Sequence, residues 1–208
     1  LCAELDDLVA PIIEGIVKSG MIPIVVGGGQ NNSFPILKGT SEALGRKRGV
    51  NVINLNTVAN YRSLEGRHSG NGFSYAKEAN HLYKYFALGL HQSYNTENML
   101  RLMDTTRNVK CQFIEEITYL DKHLMLALDF VCDDHVPCGI EVGMGAIRNM
   151  PANATTPTGF SLEQARHFIR KSCDGLSPAY LNLSDGAPTS ESENDLVGKS
   201  LSYLVTDF

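Results

Sequence analysis

The sequence predicts an α/β domain of three layers, with helices on both faces of a mostly parallel sheet. Short apolar, β-branched runs alternate with segments of helical period along the chain. Several of those runs are apolar at every position, as strands covered on both faces are. Stretches rich in Gly, Asn, Pro and Thr follow the strand ends, where open α/β sheets build their sites.

The elements follow in order. Leu5, Leu8, Val9, Ile12, Ile13 and Ile16 fall at helical spacing, so the first twenty residues form an amphipathic helix that ends at Gly20. Ile22–Val26 is a short strand, read as covered on both faces and closed by Gly27-Gly28-Gly29. A helix over Ser33–Leu44 carries Pro35 in its first turn, where the missing N–H costs nothing. Val50–Leu55 and Tyr85–Leu90 are strands, and a helix lies around Glu97–Met103. Cys111–Ile114 precedes a short helix near Glu115–Leu120, and the apolar run Leu124–Phe130 reads as a buried strand. Ser161 caps the helix Leu162–Ser172, with Glu163 and Gln164 in its first turn. Ala179–Leu183 is the last strand and Leu196–Leu204 the closing helix.

Composition narrows the function classes. A chain of 208 residues with 43% hydrophobic content can bury one substantial core. A net charge of −5 with no basic block argues against nucleic acid or an acidic membrane as partner. No apolar run is long enough to span a bilayer, and no secretory signal opens the sequence. Five scattered cysteines, Cys2, Cys111, Cys132, Cys138 and Cys173, lack CxxC spacing and read as reduced thiols of a cytoplasmic protein. The helical pattern at both ends suggests a piece of a larger protein.

Three segments carry polar groups where chemistry is expected. The turn Gly27–Ser33 lets backbone N–H groups and a helix N-terminus face an anion, although it lacks the Gly-Lys-Ser/Thr of a P-loop and has Asn32 where a dinucleotide fingerprint needs glycine. The same glycines suit a tight turn with positive φ. Asn54, Asn56 and Asn60 follow a buried strand and either line a cleft or form Asx turns. Asp129 at the end of an apolar run either ligates something or accepts backbone hydrogen bonds, and the Cys132–Cys138 loop holds Asp133, Asp134 and His135 in no standard zinc spacing.

Taken together, these segments resemble the ureohydrolases: arginase, agmatinase and formimidoylglutamase, the last most of all. Gly27-Gly28-Gly29-Gln30 is similar to the family's G-G-G-H. Asn56-Thr57-Val58-Ala59-Asn60-Tyr61-Arg62 falls where the family has D-A-H-x-D followed by a hydrophobic residue and Arg. His68-Ser69-Gly70-Asn71-Gly72-Phe73 resembles the substrate loop, and Leu128-Asp129-Phe130 the D-x-D strand, with Gly145–Arg148 as a second possible continuation of that motif. Pro157–Glu163 resembles P-x-G-[LF]-x-x-E, Tyr180–Pro188 the final site strand and Val197–Phe208 the closing helix. The resemblance implies an arginase-like fold over 1–208 as a single domain without its N-terminal strands.

It also implies two Mn²⁺ on six side chains, sharing a hydroxide that attacks the amidine carbon of a linear C–N substrate. Here five ligand positions are substituted: Gln30, Asn56, Val58, Asn60 and Val131, with Asp129 as the remnant. The expectation is therefore a protein without the dimetal centre and without bound cofactor. Its pocket is formed by Gln30, Asn32, Asn56, Asn60, His68, Ser69, Asn71 and Asp185, with His68 and Asp185 as catalytic remnants. A small amino-acid-like ligand and a homo-oligomer are the partners the resemblance implies. The alternative is an active linear-amidine hydrolase with one metal or a rearranged site.

Overall fold

The computed structural model describes residues 1–45, 47–133 and 135–208. Thirteen main elements follow one another: α1 (Cys2–Lys18), β1 (Ile24–Val26), α2 (Ser33–Ala43), β2 (Val50–Leu55), α3 (Gly72–Glu78), β3 (Leu82–Leu90), α4 (Glu97–Thr105), β4 (Val109–Phe113), α5 (Leu120–Val131), β5 (Cys138–Gly143), α6 (Leu162–Gly175), β6 (Pro178–Ser184) and α7 (Glu191–Asp207). The six strands form one parallel sheet in the order β1-β6-β5-β2-β3-β4. The chain crosses from β1 to β2, runs outward to β4, then returns to fill the gap with β5 and β6. Loops from β1, β2, β5 and β6 thus meet at the carboxyl end of the sheet, where a crevice opens.

Two apolar layers hold the sheet. Ile13 of α1, Ile36 and Leu37 of α2, Phe73 and Ala76 of α3, and Met99 and Met103 of α4 pack on the face that carries Val50, Val52, Ala87 and Tyr180. Leu124 and Leu128 of α5, Phe168 and Ile169 of α6, and Leu204 of α7 pack on the other face, against Ile53, Leu88, Ile140 and Leu181. The three-layer architecture agrees with the sequence reading, as does the Ser161 cap: its Oγ accepts from Gln164 N while Gln164 Oε1 accepts from Ser161 N. Among the described residues, no helix is long and apolar enough to cross a membrane.

Beyond the short helix expected near Glu115–Leu120, which is only a 3₁₀ turn at Ile114–Glu116, two elements differ from the sequence reading. The run Leu124–Phe130 is not a strand but part of α5. Leu120, Leu124, Ala127, Leu128 and Val131 face the core, while Met125, Leu126 and Asp129 face solvent. Six apolar residues in a run of seven do not reveal their period by themselves, but Leu, Met and Ala without a β-branched residue before Val131 favour a helix. The strand lies instead at Cys138–Gly143, inside a stretch read as loop, and every one of its residues is buried. The second difference is β1, which pairs only with β6 and leaves Ile24 and Val26 exposed.

Gly139 of β5 shows how closely the sheet face is packed. A Cβ there would lie 2.2 Å from Cζ of the buried Tyr180 ring. Gly139→Ala therefore displaces that ring, and we expect a loss of about 1–3 kcal/mol, the usual cost of overpacking, measured by urea denaturation.

Candidate functional site

At the carboxyl end of the sheet, a cavity of about 160 Å³ is lined by residues that include Gln30, Asn56, Val58, Asn60, Ser69 and Asp185. Thr57, Gly145, Asn153 and Ala154 complete its wall. Asp185 is the one charged side chain among them.

Gln30 reaches the cavity because β1 ends in a turn with Gly27 and Gly28 at φ 87° and 67°, a conformation that side chains resist. Asn32, away from the cavity, donates to Gly27 O and holds this turn (3.2 Å). The Gln30 carboxamide is buried, and all of its hydrogen-bonding capacity is used. Oε1 accepts from Asn56 Nδ2 (3.0 Å) and Ser184 Oγ (2.6 Å). Nε2 donates to Ser33 Oγ (2.8 Å) and Glu141 Oε2 (2.7 Å). An amide has two acceptor and two donor positions, so none remains for a ligand.

The asparagines after β2 are partly committed in the same way. Asn56 Oδ1 accepts from Val58 N (3.3 Å), and Asn60, at φ 50°, donates from Nδ2 to Val58 O (3.1 Å). These are Asx-type contacts that shape the turn. Asn56 also lies against Gly143, where an added Cβ would be 2.5 Å from its Nδ2.

Beneath the cavity sits Glu141, which the sequence reading did not single out. Its carboxylate is fully buried and accepts four hydrogen bonds: Tyr180 OH on Oε1 (2.7 Å), and Ser33 Oγ (2.6 Å), Gln30 Nε2 (2.7 Å) and Asn182 Nδ2 (2.9 Å) on Oε2. All four donors are neutral. Burial pushes its pKa above the ordinary carboxylate value, and the hydrogen bonds oppose that shift. Asn54 and Asn182 stand in register on either side of it, each with a buried Oδ1 that has no partner among the described residues. The signal that could have revealed Glu141 is the alternation Ile140-Glu141-Val142 between two glycines, a short strand with one acid on it.

Asp185 follows β6 at φ 68°. Its Oδ1 accepts from Gln30 N (3.3 Å) and Asn153 Nδ2 (3.4 Å). Burial raises its pKa, opposed by those same hydrogen bonds and by one from Ser184.

The loop expected to bind substrate is held from behind by Arg67. Its guanidinium pairs with Asp6 of α1 (2.8 and 3.0 Å), donates to His68 O, Asn71 Oδ1 and Asn31 O, and lies 4.9 Å from the Phe34 ring centre. Asn71 is fully buried, donates to Gly66 O and Ser63 O, and closes the loop rather than the cavity. His68 Nδ1 accepts from Gly70 N, so of this loop only Ser69 reaches the wall.

The structure thus gathers Gln30, Asn56, Val58, Asn60, Ser69 and Asp185, and leaves Asn32, His68 and Asn71 supporting them. Asp129 is a correction: it lies exposed on α5, away from the cleft, and Val131 is buried in the core on the same helix. The helical period of that segment accounts for both. Cys132, His135 and Cys138 belong to the opposite, amino end of the sheet, and Asp134 lies outside the described residues. Among the described residues, no three His, Cys, Asp or Glu side chains cluster as a metal-holding group.

A family model described as "Arginase family" matches residues 5–200. The chain belongs to the arginase family. It is 26% identical over 163 residues to a formimidoylglutamase of Geobacillus kaustophilus, a match that takes in 75% of this chain and 50% of that protein. It therefore spans about half the length of that curated relative.

Its fold matches the formimidoylglutamase of Bacillus subtilis with a TM-score of 0.85 at 15% identity, over 99% of this chain and 66% of that one. It also matches the Trypanosoma cruzi formiminoglutamase solved with Mn²⁺ (TM-score 0.82, 15% identity, 99% and 71% covered). At these identities the structural likeness speaks for the fold. In this chain the strand beside β2 is β5, while the Leu124–Phe130 run, read as a strand from the sequence, belongs to α5. On the α1–α4 face, β5 presents Gly139, Glu141 and Gly143.

Proposed function

We propose that this arginase-family chain binds a small polar molecule in the cleft and does not carry out dimetal hydrolysis. The observation that carries this reading is the closed hydrogen-bond network on Gln30. A divalent ion exchanges its hydration shell only for several oxygen or imidazole ligands, most of them charged or strongly donating. Both lone pairs of Gln30 Oε1 are already occupied, Asn56 Oδ1 faces the Val58 amide, and Val58 offers no ligand atom. Glu141 is engaged by four neutral donors and lies below the cavity wall. The donor set does not fit two Mn²⁺.

What remains suits a neutral or singly cationic ligand. Asn60, Ser69, Thr57 and Asn153 can orient it, and Asp185 can meet one positive or donor group. The cavity is below the ~300–1,000 Å³ of ordinary ligand pockets, which favours a compact, amino-acid-like molecule. All five cysteines are unpaired, which supports a reducing, cytoplasmic setting; homo-oligomer assembly belongs to the same reading.

The test is a manganese and turnover experiment on the purified chain. Dialysis against Mn²⁺ followed by elemental analysis is expected to leave far less than one ion per chain. Incubation with N-formimidoyl-L-glutamate, L-arginine or agmatine is expected to release neither formamide nor urea. Two bound ions with metal-dependent turnover would overturn the proposal in favour of an active amidine hydrolase.

A further inference from the structure

At the opposite end of the sheet from the cleft, three basic side chains converge. Arg48 precedes β2, Lys77 lies on α3 and Arg107 precedes β4. Together with Asn80, Thr106 and Asn108 they line a recess of about 480 Å³. Among the described residues no acidic one lines it, although the chain as a whole carries a net charge of −5. None of the three cations forms an ion pair with a carboxylate among the described residues. Lys77 is half-buried, with its ammonium donating to Tyr83 O. Burial lowers its pKa, and the charge of Arg107 lowers it further.

Like charges held close in a concave, partly desolvated place repel one another unless an anion relieves them. Here the described residues supply the concavity and neutral donors but no carboxylate. The two guanidiniums present the flat, forked donors that suit phosphate oxygens, and the ammonium adds a point charge. The recess is of ordinary ligand size.

We infer that this recess binds a small phosphate-bearing anion, and its three positive charges match a diphosphate better than a monophosphate. β2 runs from this recess to the cleft, with Arg48 before it and Asn56 after it, and its six residues place the two sites roughly 20 Å apart. The inference does not depend on what the cleft binds.

The experiment is calorimetric titration of the 208-residue chain with inorganic pyrophosphate, repeated with inorganic phosphate. Pyrophosphate is expected to bind, phosphate to bind more weakly, and both to weaken as salt is raised towards about 0.15 M. Arg107→Ala and Arg48→Ala each remove charge-assisted hydrogen bonds and are expected to weaken pyrophosphate about tenfold. Lys171→Ala, an exposed cation on α6, changes affinity by less than about twofold. Arg48 and Arg107 are exposed, so melting without probe should match the parent chain and separate lost binding from lost folding. No heat at millimolar pyrophosphate overturns the inference, as does equal weakening by Lys171→Ala. Arg107-dependent binding of duplex DNA or anionic vesicles without pyrophosphate binding overturns it too, because the surface would then serve a macromolecule.

Discussion

Glu141→Ala is expected to destabilise the chain by about 3–5 kcal/mol, a large part of the ~5–15 kcal/mol that holds a typical domain together. The substitution removes the acceptor from Tyr180 OH, Ser33 Oγ, Gln30 Nε2 and Asn182 Nδ2 at once. A buried donor left without a partner costs ~1–3 kcal/mol, and the four losses add incompletely because the groups share one network. Urea denaturation at neutral pH measures the effect. Glu141→Gln keeps an oxygen for the three donors on one side, while Tyr180 OH can turn to accept from the new amide. Its loss should stay near 1 kcal/mol. If alanine costs no more than glutamine, Glu141 does not organise the site.

The pair of variants also reports the charge. Burial raises the folded-state pKa of Glu141 above its unfolded value. Its contribution to stability is therefore complete below the ordinary carboxylate range, about 4.3, and is lost as pH rises through the folded-state pKa. Glu141→Gln does not titrate there. Its deficit relative to the parent is expected to shrink as pH rises from 4 towards neutrality (~3 units). Asp185 shifts in the same direction but is present in both proteins and cancels. A gap that widens over this range would contradict the burial argument.

Arg67→Ala is the second large effect, also about 3–5 kcal/mol, because it leaves the Asp6 carboxylate buried without its partner. The two side chains are 7% and 4% exposed, so solvent compensates little. The same change releases the carbonyls of His68 and Asn31 and the Asn71 side chain. The loop from Arg62 to Asn71 should then open, placing Ser69 out of reach of the cavity. Protease cleavage within 62–71 is expected to accelerate in step with the loss of stability. The double variant Asp6→Asn, Arg67→Met should recover part of the loss, since no unpaired charge remains. Recovery of nothing would mean that the contacts of Arg67 within the loop, rather than the buried charge, carry the effect.

Much of the fold was legible in local pattern. The helices α1, α2 and α6, the strands β2 and β6 and the glycine turn after β1 all follow from period, caps and breakers. Those signals act over a few residues, so the chain states them directly. Several cleft residues were legible as well, because Gln30, Asn56, Asn60 and Asp185 each follow a strand end in a sheet that is parallel.

The α5 segment was misread because a short run of six apolar residues in seven is compatible with either period when both a helix and a strand would be buried. That misreading hid β5, and with it Glu141. The exposure of β1 was equally hidden, since an apolar run does not say whether a neighbour will be found for each edge.

By itself, the sequence determined an α/β family member with amides where acids would be expected, because residue identity and order need no coordinates. Only the tertiary structure decided what those amides do. It showed that Gln30 has spent both lone pairs on Asn56 and Ser184, that Glu141 faces Gln30, Ser33, Tyr180 and Asn182, and that Asp129 points to solvent. It also brought Arg48, Lys77 and Arg107 from three separate segments to one recess. Whether a polar group is free or already satisfied, and whether a charge is alone or among others, depends on neighbours remote in sequence. Hydrogen bonds and Coulomb forces act through space, and only the folded chain fixes that space.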